Sequence, residues 1–388
     1  MQLEFRVRLG RVRGDCSRRG KLLSPAGHRV PDDRIASRLA NQLLTRAGCA
    51  APADVVAWFG AMQAQEYAAA RWAIALRLRD RVVDAAVEQA FDEGRILRTH
   101  VMRPTWHFVT PADIRWMLEL TAPRLLRAMA PYNTRLELDR RTLVKGTAVI
   151  ERALGDEGFL TRRELGDRLG RARLPMATQR LAHLAMHAEL EAVICSGPRR
   201  DRQFTYALVA GRAPRAARLS RDEALGELAR RYFRSHAPAT VRDFVWWSGL
   251  TTSDAKRAIE IAGARSRELD GRTYWSSTET RRAAARRRDV HLLPVYDEYL
   301  VAYRDRGFIS PLLSAPGVFS RSPIFQHTLL IAGQVAGAWR VARSSAGLSI
   351  EIAVLRRLTA KERTAVAKAV REYGRFLGTP VAHRFGQP

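Results

Sequence analysis

Two glutamines one residue apart, Gln63 and Gln65, stand in the segment Phe59-Gly60-Ala61-Met62-Gln63-Ala64-Gln65-Glu66-Tyr67. A glutamine amide takes no proton near neutral pH, so the pair cannot act as a strong general base. It can orient a water molecule and offer carbonyl dipoles to developing positive charge. Taken alone, the pair also reads as two solvated or capping amides. Neighbouring Glu66 is either a base or a partner for a helix dipole. Asp297, Glu298 and Asp305 could hold a divalent ion or work as acid and base; the alternative is a salt bridge to Arg304 or Arg306 that ties the C-terminal part together. His183 and His187 have the spacing of metal ligands but no third ligand nearby other than Cys195, and no metal site is assigned. His107, between Trp106 and Phe108, reads as a hydrogen-bonded core histidine or a catalyst. The chain has no glycine-rich phosphate loop, no H-E-x-x-H and no G-x-S-x-G, and no cofactor is expected.

The net charge of +27 over 388 residues attracts polyanions. Only five of the 66 basic residues are lysine, so the field belongs to arginine, whose planar fork grips phosphate in a bidentate manner. Part of that bias is what a GC-rich genome would give without any function. Nucleic acid is the partner the charge favours. Three unclustered cysteines, Cys16, Cys49 and Cys195, argue for a reducing compartment and against a disulfide framework or zinc ribbon. No apolar run reaches the ~18 residues of a membrane span, and the first residues lack the apolar core of a signal peptide. A cytoplasmic protein is expected.

The elements that must position the glutamines follow from periodicity and caps. Residues 1–32 read as a basic, disordered tail. A helix is predicted from Asp33 through Ile35, Leu39, Leu43 and Leu44, ended by Gly48. A second, opened by Pro52 and Asp54 with Val55, Val56, Phe59 and Met62 at helical spacing, leads to the glutamines at its end. Residues two apart point about 200° apart on a helix but share a side in an extended segment, so joint action requires the chain to bend or extend near Ala64. A helix over Ala68–Leu78 with Trp72, Ala75 and Leu76 inward, one over Asp84–Glu93, and strands Ile96–Met102 and Thr105–Val109 turning at Arg103-Pro104 complete the pattern. Thr110 to Asp113 is a capping signal for a helix through Ile114, Met117 and Leu118.

The same order then returns twice. Thr147–Leu154, a helix capped by Thr161 and Glu164, and Pro175–Leu190 precede a hairpin of Ala192–Ser196 and Gln203–Leu208 with tip Gly197-Pro198-Arg199-Arg200-Asp201-Arg202. Helices opened by Ser220–Glu223, Thr240–Asp243 and Thr252–Asp254 precede Arg265–Leu269 and Arg272–Trp275, joined by the hairpin turn Asp270-Gly271. Helix, capped helix, helix and wing is the winged helix-turn-helix plan. After the arginine run Arg281–Arg288, strands Val290–Val295, Thr328–Ile331, Val335–Val341 and Leu348–Val354 and a helix Ala360–Leu377 predict a compact β-rich domain. The fold class expected is α+β: a tail over 1–32, winged helices over 33–135, 136–215 and 216–288, and a small β-barrel-like domain over 289–388.

Four phrases in order carry a resemblance: Gly60–Gln65; Arg103-Pro104-Thr105-Trp106-His107-Phe108-Val109; Leu293–Glu298 with Tyr303–Arg306; and Ala332–Trp339. They are similar to those of the AlkZ-type winged-helix DNA glycosylases, bacterial proteins of three tandem winged helices and a C-terminal β-barrel-like domain. The resemblance spans roughly residues 33 to 380 and implies hydrolysis of the N-glycosidic bond of alkylated purines, including some held in interstrand crosslinks. The family's catalytic motif is glutamine, an apolar residue, then glutamine or aspartate; Gln63-Ala64-Gln65 is the double-glutamine form, with a middle residue smaller than usual.

The chemistry of the amides agrees. N7-alkylguanine and N3-alkyladenine carry positive charge and leave with little acid assistance, and the carbonyls of Gln63 and Gln65 can stabilise an oxocarbenium-like sugar. The basic residues expected to meet DNA are Arg199, Arg200 and Arg202 at the hairpin tip, with Arg103, Arg304 and Arg306 from the quoted phrases. A monomer acting on duplex DNA in the nucleoid is expected, with no membrane partner. No lysine lies near the motif to form a Schiff base, which argues against lyase activity. The alternative is a non-enzymatic winged-helix protein, a transcription factor or architectural binder; three different units around one polar motif, in place of one unit dimerising on a palindrome, favour the enzyme.

Overall fold

The computed structural model describes residues 33–45, 48–174, 176–278, 290–307, 309, 325–345 and 347–386. The predicted tail and the run Arg281–Arg288 lie outside them. Helix α1 (Asp33–Asn41) is shorter than the sequence predicts. Leu43 turns left-handed (φ 59°) and the Leu44 N–H reaches back to the Leu39 carbonyl (2.8 Å), which stops the helix before Gly48 while keeping both leucines buried.

Helix α2 (Pro52–Phe59) has proline in its first turn, and the Asp54 carboxylate accepts from the Ala51 N–H. Gly60 (φ 83°) ends it, so Met62 and the glutamines are not helical. Met62–Gln63 instead forms a two-residue strand, β1. Then come α3 (Tyr67–Ala75), α4 (Asp84–Asp92), β2 (Leu97–His100) and β3 (Trp106–Val109). The sheet has the order β1-β3-β2, with Gln63 opposite His107. The chain is thus extended near Ala64, one of the two courses that joint action of the glutamines requires, and the Ala64 N–H donates to the Trp106 carbonyl (2.7 Å). Helix α5 (Ile114–Arg135) starts at the turn where Thr110 Oγ1 donates to Asp113.

The second unit contains α6 (Arg140–Glu157), β4 (Leu160–Thr161), α7 (Arg162–Arg171), α8 (Thr178–Leu190), β5 (Ile194–Ser196) and β6 (Thr205–Leu208), with sheet order β4-β6-β5. Helix α6 begins well before Thr147 because Asp139 caps it, accepting from the Thr142 N–H (2.7 Å). A short α9 (Val209–Arg212) leads to the third unit: α10 (Arg221–Ser235), α11 (Val241–Ser248), α12 (Thr252–Ile261), β7 (Arg265–Leu269) and β8 (Arg272–Ser276). Here the leading strand has shrunk to one bridge, Ala239 with Trp275. Capping boxes form at Thr161/Glu164, Ser220/Glu223 and Thr240/Asp243 as read, whereas Thr251, one residue earlier than expected, caps α12. The three units share one order: helix, short strand or bridge, two helices, hairpin.

The C-terminal part consists of β9 (Val290–Leu293), α13 (Glu298–Val301), β10 (His327–Ile331), β11 (Gln334–Ser344), β12 (Gly347–Val354), α14 (Ala360–Phe376) and β13 (Val381–Gly386). The expected barrel is not closed: the strands form an open sheet of order β13-β12-β11-β10-β9. Helix α14 is the crossover that lets β13 run parallel to β12, and its Val366, Val370 and Phe376 cover the apolar face, so the sheet is capped by a helix and not by its own edges. The fold is a mixed α+β one.

This part is fastened to the first unit at several points. Trp72 Nε1 donates to the Leu292 carbonyl (2.7 Å), and Arg77 and Asp297, both fully buried, make a bidentate pair with two bonds of 2.8 Å. Phe204 of the second hairpin enters the Tyr67–Phe91 aromatic cluster of the first unit, its ring edge-on to both.

Candidate active site

Both glutamine amides end on the turn between β2 and β3. Arg103 Nη2 donates to Gln63 Oε1 (3.1 Å) and to His107 Nε2 (3.3 Å), while the Trp106 N–H donates to Gln65 Oε1 (3.4 Å). A guanidinium only donates, so Gln63 must present its oxygen to Arg103, leaving that oxygen's second lone pair and the amide NH₂ for water or substrate. Gln63 is 9% exposed and Gln65 half-buried.

His107 is the buried, hydrogen-bonded histidine of the first sequence alternative. Burial, reinforced by the Arg103 charge, holds its pKa well below the usual value, so the ring is neutral. Its Nδ1–H then donates to the Thr105 carbonyl (2.8 Å) and Nε2 accepts from Arg103. Burial also lowers the pKa of Arg103, against the pull of Glu298.

Behind the strand lies a residue whose role the sequence leaves open. The Glu298 carboxylate is 1% exposed; Oε1 accepts from the Gln63 N–H (2.8 Å), and Oε2 from Trp247 Nε1 (3.0 Å) and His236 Nε2 (3.4 Å). Asp297 is taken by Arg77, and Asp305 pairs with Arg272. The salt-bridge alternative for this acidic group therefore fits Asp297 and Asp305, with Arg77 and Arg272 in place of Arg304 and Arg306. Glu66, exposed at the start of α3, makes no side-chain cap bond. His183 Nδ1 contacts Asn133 Oδ1 (3.1 Å), and burial raises the pKa of the Cys195 thiol to about 12, which keeps it protonated.

The expected DNA-binding arginines separate into three groups. Arg199 pairs with Glu88 (2.9 Å), its backbone N–H donates to Asp92 (2.7 Å), and its guanidinium lies over Phe204 and Tyr67. It packs the second hairpin onto the first unit. Arg200 is exposed but paired with the cap residue Glu164. Arg202 and Arg304 are exposed. Arg103 and Arg306 stand inside, Arg103 on Gln63 and Arg306 over the Trp246 ring (5.5 Å) with Nε donating to the Leu300 carbonyl (2.6 Å).

Sequence reasoning passed over Arg98. It donates from Nε to the Ala64 carbonyl (3.0 Å) and from Nη2 to the Gln65 carbonyl (3.4 Å), and lies between the rings of Trp106 and Phe204. Burial lowers its pKa to about 10. On its far side a cavity of about 420 Å³ opens between the first and second units, lined by Trp106, Arg162, Arg202, Phe204 and Tyr206 among others. Neither Gln63 nor Gln65 lines it.

An extended segment whose two amides are pinned by a guanidinium and a backbone N–H thus lies beside a neutral histidine and a buried carboxylate. The chain belongs to the AlkZ-like DNA glycosylase family, whose model matches residues 56–376. It is a DNA glycosylase, a hydrolase of N-glycosyl bonds, which excludes the non-enzymatic alternative. An interstrand DNA cross-link repair glycosylase of Streptomyces sahachiroi is 24% identical over 344 residues, covering 79% of this chain and 86% of the relative. The solved structure of Streptomyces sahachiroi DNA glycosylase AlkZ superposes with a TM-score of 0.74 at 21% identity, covering 91% of this chain and 98% of the other. Among the described residues no helix is long and apolar enough to cross a membrane.

Proposed function

We propose that the enzyme excises cationic alkylated purines, N7-alkylguanine and N3-alkyladenine, from duplex DNA by a monofunctional hydrolytic route, with Gln63 and Gln65 as the catalytic pair. The observation that carries this reading is the fixed Gln63 amide: Arg103 pins its oxygen, so water can be held without being deprotonated. The C1′–N bond breaks with its electron pair going to the base, which neutralises the charge on the alkylated ring. The sugar becomes oxocarbenium-like and the amide carbonyls stabilise it. Water oxygen then bonds to C1′ and its proton passes to solvent. A neutral base would need protonation in leaving, which no amide supplies.

The element order supports reading units 33–135, 136–215 and 216–288 as winged helices. In that plan β1, β4 and the Ala239 bridge are the short first strand, and the hairpins β2–β3, β5–β6 and β7–β8 are the wings. The basic residues we assign to DNA are Arg202 and Arg304 on the surface, Arg103 on the Gln63 amide and Arg306 over Trp246. A monomer suffices, since three units on one chain present one site. The Streptomyces relative is named for cross-link repair, and we extend that to this chain: a crosslink through guanine N7 is the same cationic leaving group, attached to a second strand. Incubation with duplex DNA methylated at guanine N7, followed by chromatography for free base, tests the function. Release of N7-methylguanine and of unhooked strands from an N7-linked crosslink is the expected result; release of uracil in preference to N7-methylguanine would contradict it.

A further inference from the structure

Two guanidinium groups, that of Arg103 on the Gln63 amide and that of Arg306 over Trp246, have donors that nothing among the described residues uses. Among the described residues, Arg103 Nε and Arg306 Nη2 are buried without a hydrogen-bond partner. Among the described residues neither arginine bonds a carboxylate; Arg103 donates to the neutral Gln63 and His107, and Arg306 to a backbone carbonyl. The carboxylates nearby are taken. Glu298 is occupied by Gln63, Trp247 and His236, and Asp243 by the cap of α11 and the backbone N–H groups of Arg304 and Asp305.

One helix end lies against both arginines. Gly249, just past α11, comes so close to the β2–β3 turn that a Cβ there would stand 2.2 Å from the Met102 carbonyl oxygen and 3.9 Å from Arg103 Cγ. Trp246, in the last turn of the same helix, carries Arg306 over its ring. Burial, and after it the charge of Arg103, lowers the pKa of Arg306 to about 10. Like charges with unmet donors in a half-buried place are unfavourable unless an anion joins them. Trp246 is 37% exposed, so the wall beside Arg306 reaches the surface.

We infer that Arg103 and Arg306 form a seat for one backbone phosphate of the DNA, the one beside the nucleotide whose glycosidic bond is cut, with Trp246 as its wall. This rests on the reading that Gln63 faces that nucleotide's sugar. A phosphate there would accept from both unused donors, fix the distance from the sugar to Gln63, and draw Arg103 taut against the amide it orients. The seat reads charge and not sequence.

The test uses the full chain and duplexes carrying a tetrahydrofuran abasic analogue, with one flanking linkage at a time replaced by an uncharged methylphosphonate. Binding to the wild type should fall on the order of 10-fold at one linkage next to the analogue and little elsewhere, in keeping with the loss of a charge-assisted pair. In Arg306→Gln that linkage should lose its special sensitivity, and the salt dependence of binding should flatten by about one counterion. Equal small losses at every linkage in the wild type overturn the inference without need of any variant, and so does a sensitive linkage that is unchanged in Arg306→Gln. Because the analogue has no base to release, the result is independent of excision: a wild type that shows the sensitive linkage but frees no N7-methylguanine would refute the proposed substrate and leave the seat.

Discussion

The backbone N–H of Gln63 donates to the buried Glu298 carboxylate at 2.8 Å, so a residue of the C-terminal part holds the strand β1 of the first unit. The same carboxylate accepts from Trp247 of α11, which makes it the point where three parts of the fold meet at the site.

Removing that carboxylate leaves two or three buried donors unsatisfied, at about 1–3 kcal/mol each. Glu298→Ala should therefore destabilise the protein by several kcal/mol, read as a lower urea midpoint. Glu298→Gln keeps one acceptor oxygen, which cannot serve both the Gln63 N–H and the donors of Trp247 and His236, so it should recover part of that loss while excision stays low. Equal excision rates for wild type and Glu298→Gln would remove Glu298 from the positioning of Gln63.

The Arg77–Asp297 pair is structural. Asp297→Asn leaves a fully buried guanidinium without its counter-charge, a change that costs about 3–5 kcal/mol in comparable pairs. The folded fraction should still excise at the wild-type rate per molecule. A selective loss of turnover with unchanged stability would return Asp297 to the chemistry.

Within the second hairpin tip the arginines should behave differently. Arg199→Ala should lower stability, since it loses Glu88 and the faces of Tyr67 and Phe204, whereas Arg202→Ala should leave stability alone and reduce the salt slope of duplex binding by about one. Salt titrations of each variant separate the two. An unchanged slope for Arg202→Ala would place the DNA away from this tip.

Buried histidines give the protein an acid limit. His107 and His236 are held below their usual pKa by burial, and His327 is lowered to about 4. The unfolded chain then binds more protons than the folded one below about pH 6.5, so stability must fall as pH drops from there towards 4, by up to about 1.4 kcal/mol per pH unit for each such histidine. Urea midpoints between pH 7 and 5 should show this, with a shallower slope in His327→Gln. A flat profile would mean that these rings are solvated.

Local signals were legible in the sequence and paired ones were not. The boxes at Thr161, Ser220 and Thr240 need only residues three apart, and the turn Asp270-Gly271 only its own two, so each could be read directly. Strands β1 and β4 are two residues long, too short for periodicity, and exist because β3 and β6 lie alongside them more than forty residues later. That is why Met62 looked helical. The parallel strand β13 was missed for the same reason, and with it the open form of the C-terminal sheet. At the site, Gln63 and Gln65 could be singled out by type and spacing. Glu298 stood in a phrase that was noted, but its partner is a backbone N–H 235 residues away, and no spacing announces that. Arg98, known only by the carbonyls and rings it meets in the fold, left no sequence signal.

The claim that the glutamine pair performs the excision is tested most directly by single-turnover release of N7-methylguanine from methylated duplex DNA by wild type, Gln63→Ala, Gln65→Ala and the double variant. Each single change should slow release, the double change by at least on the order of 10²-fold, while Gln65→Asp should keep activity because a carboxylate also orients water. Binding to undamaged duplex should change little throughout. Full release by the double alanine variant, purified free of host glycosylases, would contradict the account and move the chemistry to Glu66 or Glu298.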